Sequence, residues 1–227
     1  NDYTANNFST SAGAGNDVLF DSPTNGDQSD TGAGGEVSGN YATLNPLDVR
    51  NSPTLANGNL DLSNSGANYG KTRSTIGFDV GTSTGFYAEV TVTGSATDNT
   101  AFGIIDDSVF TEAQGNAGAY FLGSRGGGGG NTWWTYDETS VDTNTTISHS
   151  SSQTIGVAIK NGKVYFAINN TWVLSGNPAT ESNPAFSGLT GTYFLYFNCY
   201  QNNALSFNAG QRAFAYSAPS GYKALCT

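Results

Sequence analysis

The sequence predicts an all-β domain in which two antiparallel sheets pack face to face. Several short segments alternate apolar and polar residues with a period of two, the spacing of a strand covered on one face. Pairs such as Asn-Gly fall between these segments at hairpin spacing. No stretch reads as an amphipathic helix of ordinary length, so a sheet wound with crossover helices is excluded. Aromatic residues make up 12% of the chain and charged residues only 11%. Neutral Thr, Ser, Asn and Tyr therefore have to supply the outward strand positions.

Residues 1–53 offer little to bury. DSPTNGDQSDTGAGGEVSG (21–39) is rich in turn signals, and NDVLF and NYATLNPL are the only anchors. Residues 1–53 are expected to form an extended arm or linker, used for strand addition to a neighbour's sheet edge, and residues 54–227 the sandwich. In GFYAEVTVTG (85–94), Phe86, Ala88, Val90 and Val92 share one face while Tyr87, Glu89, Thr91 and Thr93 share the other. That pattern predicts a half-buried strand. NTAFGIIDD (99–107) is a shorter second example, and DDSVFTEAQ (106–114) holds at most a helical turn or two. In TIGVAIKNGKVYFAINN (154–170), two alternating runs flank Asn161-Gly162, a hairpin signal because both residues tolerate positive φ. TYFLYFNCY (192–200) and NALSFNAG (203–210), joined at Gln201-Asn202, predict another hairpin. The expected core includes Phe86, Val90, Ile155, Val157, Phe166, Leu195 and Phe207.

Eight basic and eighteen acidic residues give a net charge of −10, the wrong field for a phosphate backbone, so nucleic acid is not an expected partner. No apolar run approaches the roughly 20 residues of a membrane-spanning helix, so no membrane insertion is expected. The chain begins at Asn1, which is not an initiator and reads as the product of processing or as part of something longer. Cys199 and Cys226 allow one disulfide, with a buried free thiol at Cys199 as the alternative.

SRGGGGGNTWWTYDE (124–138) is the least ordinary stretch. It fails as a phosphate loop, because Asn131-Thr132-Trp133 follows the glycines where Gly-Lys-Ser/Thr is needed. Five glycines fix no geometry and read as a long flexible connection. Adjacent strand residues point to opposite faces, so one of Trp133 and Trp134 can enter the core. The functional alternative is an aromatic platform of Trp133 or Trp134 with Tyr136, to which Arg125, Asp137 and Glu138 add polar contacts. Trp172, beside Asn170 at the hairpin end 169–176, joins that platform if both loops leave the sandwich at one rim.

Catalytic chemistry finds no support. Asp137 and Glu138 diverge on a strand, where a glycosidase needs two carboxyls facing one bond. Asp106, Asp107 and Glu112 could gather around calcium, but without a regular loop spacing. His149 has no cysteine at ligand spacing, and no Gly-x-Ser-x-Gly elbow occurs. No catalytic residue, metal or cofactor is expected. Asn7-Phe8-Ser9, Asn144-Thr145-Thr146 and Asn169-Asn170-Thr171 match the glycosylation triplet, which a chain rich in Asn and Thr produces by chance.

Three segments carry a resemblance that covers about residues 54–222. GFYAEVTVTG with AFGIIDD, the hairpin TIGVAIKNGKVYFAINNTWVLSG, and the closing FNAGQRAFAYSAPSGY together resemble the SPRY domain of the concanavalin A-like sandwich superfamily. Asn170 and Lys160 depart from that family's hairpin pattern. With YATLNPL and the ending SAPSGYKALCT, the chain looks most like SPRY-like modules of bacteriophage tail and fibre proteins. The resemblance implies a concanavalin A-like jelly roll that binds through its loops. It also implies a non-enzymatic structural module on a virion surface or otherwise extracellular. Expected partners are other copies, other virion subunits, or a host surface glycan or protein. A lectin-like glycan-binding module is the alternative, followed by an enzyme that trims polysaccharide.

Overall fold

The computed structural model describes residues 31–35, 39–94, 100–109, 118–125, 132–137 and 143–226. Its strands, numbered along the chain, form two sheets. The seven-stranded sheet runs β1 (Leu44–Arg50), β4 (Gly70–Asp79), β13 (Thr192–Cys199), β6 (Ala101–Asp106), β7 (Ala119–Arg125), β8 (Thr132–Tyr136), β9 (Thr143–Ser148). The eight-stranded sheet runs β12 (Thr171–Trp172), β11 (Lys163–Ile168), β10 (Thr154–Lys160), β5 (Gly85–Val92), β14 (Asn203–Asn208), β3 (Asp61–Asn64), β2 (Thr54–Ala56). Its eighth strand, β15 (Tyr222–Ala224), lies parallel to the first half of β5. The other pairings are antiparallel, which gives the expected two-layer sandwich.

The core lies between the sheets. Phe102 stacks on Phe197 at 5.2 Å within one sheet, and Phe207 of the other meets Phe197 edge-on at 4.8 Å, so aromatic contact joins the layers. Val90, Ile155, Val157, Phe166, Leu195 and Phe207 are buried as expected, while Phe86 is only partly covered and rests 5.7 Å from Phe78. The Asn161-Gly162 hairpin forms with both residues at positive φ, and Lys160 pairs with Lys163 across it.

Three expectations are corrected. The arm does not reach residue 53: Ala42 and Leu44 sit in the core, and β1 pairs with β4. Gly35 also donates to Gly210 at 2.7 Å. Residues 1–30 lie outside the described residues. A register shift between Leu44 and Val49, next to Pro46, leaves Leu47 94% exposed on this edge strand.

The second correction concerns β13 and β14, which are not a hairpin. β13 pairs with β4 and β6, whereas β14 pairs with β3 and β5. The left-handed Gln201 and Asn202 do reverse the chain, but into the opposite layer. Third, β5 is buried on both faces. Tyr87 and Glu89, expected outside, are covered by the C-terminal segment, where Phe214 packs edge-on against Tyr87 at 5.0 Å. Of the segment 106–114, Asp107–Val109 form a turn and residues 110–114 lie outside the described residues. Cys199 and Cys226 are not joined in a disulfide, and burial pushes the Cys199 thiol far up.

Candidate functional site

The aromatic residues singled out around 124–138 and at 169–176 do not form one patch. β7 begins near Asp106 and ends opposite Thr132, and the Asn169-Asn170 turn closes β11, so both connections leave the sandwich at the same rim. The three indoles nevertheless lie in three layers. Trp133 is 1% exposed in the central core, where its Nε1 donates to Gln153 Oε1 at 2.9 Å. It cannot serve as a platform. His149 is buried beside it, edge-on at 6.1 Å.

Trp134 is half-buried on the outer face of the seven-stranded sheet, its Nε1 donating to Thr132 Oγ1 at 2.9 Å. Tyr136 shares that face, as the alternation requires, but its ring is committed to stacking on Phe121 at 4.9 Å. Trp172 is half-buried on the outer face of the other sheet, packed against the cluster of Tyr87, Tyr165 and Tyr222. Asn170 is exposed in its left-handed turn and Asp137 is half-buried. The Arg125 side chain, the glycine run and Glu138 lie outside the described residues.

A different place brings together groups suited to holding a ligand. At the opposite rim a pocket of about 350 Å³ opens between the turn after β6 and the segment leading into β13. Its walls include Asp106, Ser108, Tyr120, Gly188, Thr190 and Tyr193. Asp106 pairs in register with Tyr193, which brings the carboxylate to the aromatic wall. Asp106 Oδ1 accepts from Ser108 N at 2.9 Å and Ser108 Oγ at 2.6 Å, an Asx-type turn that fixes the acceptor. The rings of Tyr120 and Tyr193 stand 6.2 Å apart at 56°, and Phe186 supports Tyr120 edge-on at 5.1 Å.

Gly188 has φ +77°, and nothing lies within 4 Å of where a Cβ would stand, so that wall stays open. The neighbouring excursion is held by Glu181, whose carboxylate accepts from Asn161 Nδ2 at 3.0 and 3.1 Å and meets Lys163 and Lys160, each at 3.3 Å. These partners, the Asn161 amide first, hold the Glu181 carboxyl below its ordinary range.

The arrangement offers the partly exposed Tyr120 ring, backed by the buried Tyr193, for apolar C–H surface, and a fixed carboxylate and hydroxyls for hydroxyl groups. Asp106 is the carboxylate on its walls among the described residues, whereas glycoside hydrolysis by acid and base needs a facing pair. The described residues hold no group of three or more His, Cys, Asp or Glu side chains able to bind a metal, and Glu112 lies outside them. Tyr120, Tyr193, Ser108 and Thr190 carried no functional signal in the sequence; the hint was the pair Gly188 and Gly191 just before an aromatic strand.

The chain matches no protein-family model and no curated protein. Solved structures that resemble it include the SPRY domain of human HERC1, with a TM-score of 0.49 and 13% identity over 73% of this chain and 96% of that one. A second human SPRY domain gives a TM-score of 0.49 and 13% identity over 71% of this chain and 94% of that one. The carbohydrate recognition domain of Emp47p gives 0.47 and 14% identity over 75% and 93%.

Proposed function

We propose that this chain is a non-enzymatic recognition module that holds a neutral sugar ring in the rim pocket. The observation that carries this reading is the Asp106 carboxylate, fixed by Ser108 next to the Tyr120 and Tyr193 rings. Sugar rings present C–H faces to aromatics and hydroxyls to carboxylates, and the net charge of −10 disfavours anionic glycans.

A glycan array run beside a reducing-sugar assay tests it. Neutral glycans are expected to bind without release of new reducing ends. Tyr120→Ala and Asp106→Asn should each weaken binding by roughly tenfold or more, the effect of losing a stacked ring or a charge-assisted hydrogen bond. Equal binding by both variants, or product release, would overturn the proposal.

The setting we infer is the surface of a larger particle, such as a virion or its tail fibre, where the module attaches to a host glycan or joins a neighbouring subunit. The resemblance to phage tail modules supports this. β9 and β2 end the two sheets in the strand order and offer edges for association. Light scattering of the full chain at micromolar concentration should show an oligomer; a monomer throughout would contradict the assembly role and leave attachment alone.

A further inference from the structure

β1 covers only the first half of the β4 edge. Their pairing ends at Leu44 and Ser74, followed by Thr75 N donating to Thr43 O at 2.8 Å. Before Thr43 the chain leaves β4 for the C-terminal segment, where Ala42 N donates to Leu225 O at 3.1 Å and Tyr41 bridges to Cys226. β4 itself runs on to Asp79. Successive residues of an antiparallel strand direct their backbone groups to opposite sides. Val80 N donates to Gly191 O at 3.0 Å, on the β13 side, so Asp79 and Gly77 direct theirs to the side that β1 has left. Thr75, two positions before Gly77, faces that side as well, which fixes the same phase from the other end. Asp79 O accepts from Thr82 N at 3.3 Å. Among the described residues, none pairs with Gly77 N, Gly77 O or Asp79 N. Beside this edge, where the chain parts from β4, lies a pocket of about 250 Å³. Ile76 and Phe78 of β4, Phe86 of β5, and Leu225 and Cys226 wall it. The same opening accounts for Phe86, which packs against the core yet is only partly covered.

We propose that this notch takes an extended peptide segment of a partner protein, added as a short strand along Gly77–Asp79, with one apolar side chain in the pocket and a Lys or Arg beside it. Unmet backbone donors and acceptors along a strand edge are what strand addition uses, and a pocket next to them selects the alternate side chain that points inward. The walls taken from β4, β5 and the C-terminal segment are apolar, which suits an aromatic or branched aliphatic residue. The charge of the partner follows from Asp79. It is exposed at the end of the free edge, its Oδ1 is held by Gly81 N at 2.8 Å, and among the described residues no Lys or Arg lines the pocket. With a net charge of −10 on the whole chain, a basic flanking residue is the complement. The notch shares no wall residue with the rim pocket, so this partner is independent of the sugar.

Random heptapeptides displayed on yeast and panned against the full chain test this, with the enriched sequences then synthesised in plain and backbone N-methylated forms. The enriched peptides are expected to combine one aromatic or branched apolar residue with a nearby Lys or Arg, and to slow alkylation of Cys226 in the pocket wall. N-methylation at the residue facing Gly77 should weaken binding roughly tenfold, since a backbone hydrogen bond is lost. Asp79→Pro removes one edge donor without touching a bond to β13, the setting in which a strand tolerates proline, and should weaken binding about fivefold. Asp79→Asn should relax only the preference for a basic residue, and Tyr120→Ala should bind the peptides as wild type does. The N-methylated series decides the matter even where Asp79→Pro disturbs the fold. No enriched peptide, equal binding by every N-methylated form, or binding that leaves Cys226 alkylation unchanged would overturn the proposal. So would self-association that protects Cys226 without peptide, which would assign the notch to a second copy of this chain.

Discussion

Trp133→Ala is expected to cost about 3–5 kcal/mol, the range for removing a large buried aromatic, and to lower the Tm by roughly 10 °C in a domain of this size. The indole is fully enclosed between the sheets and also holds an end of the sandwich together. Its Nε1 donates to Gln153 Oε1, which accepts a second bond from Ser150 N at 2.8 Å, while Gln153 Nε2 donates to Ser148 O at 2.9 Å. Thr145 Oγ1 donates back to Trp133 O at 2.8 Å. One side chain therefore ties β8 to β9 and to the turn that enters β10. Trp133→Phe keeps much of the ring and loses the hydrogen bond, at about 1–2 kcal/mol. Thermal unfolding of the two variants checks the order, and a Trp133→Ala protein as stable as wild type would remove this residue from the core account.

Glu89→Ala is expected to release the C-terminal segment at a cost of about 3 kcal/mol, since three donors lose a buried charged acceptor. Glu89 is 3% exposed. Its Oε2 accepts from Ala215 N at 2.7 Å, and its Oε1 from Tyr216 N and Tyr87 Oη, both at 2.9 Å. The released segment includes Phe214 and leads to Tyr222 and β15, which cover this side of β5. Hydrogen exchange should therefore quicken at Ala215, Tyr216 and residues 222–224 before the rest of the sandwich responds.

Desolvation raises the Glu89 carboxyl above its ordinary value of 4.5, against the lowering effect of the three donors. A raised pKa in the folded state gives stability that is complete below pH 4.5 and is lost as pH rises through the folded value. Glu89→Gln does not titrate. Wild type should therefore hold its largest lead over Glu89→Gln below pH 4.5 and lose part of it above, as measured by unfolding at several pH values.

These two residues show which parts of the structure the sequence could report. Alternation in GFYAEVTVTG places Val90 inward from local pattern alone. It also assigns Glu89 to solvent, because the backbone that covers it, Ala215 and Tyr216, comes 126 and 127 positions later. Neighbouring strand residues diverge, so one of Trp133 and Trp134 could enter the core, but register against β7 and β9 decides which. At Gln201-Asn202 the turn chemistry is local, and whether the chain turns within a sheet or into the next layer is not. The rim pocket was hidden for the same reason. Asp106, Tyr120 and Tyr193 come from three strands, and each alone reads as a turn residue or part of an aromatic core.

The most direct test of the rim-pocket reading is amide chemical-shift mapping during titration of 15N-labelled full chain with a neutral oligosaccharide identified by the array. Shifts are predicted to centre on Asp106–Val109, Gly118–Tyr120 and Gly188–Tyr193, with the sugar's own signals unchanged over hours. Shifts centred on Trp134 or on Asn170–Trp172, or new anomeric signals from a cleaved sugar, would contradict the account.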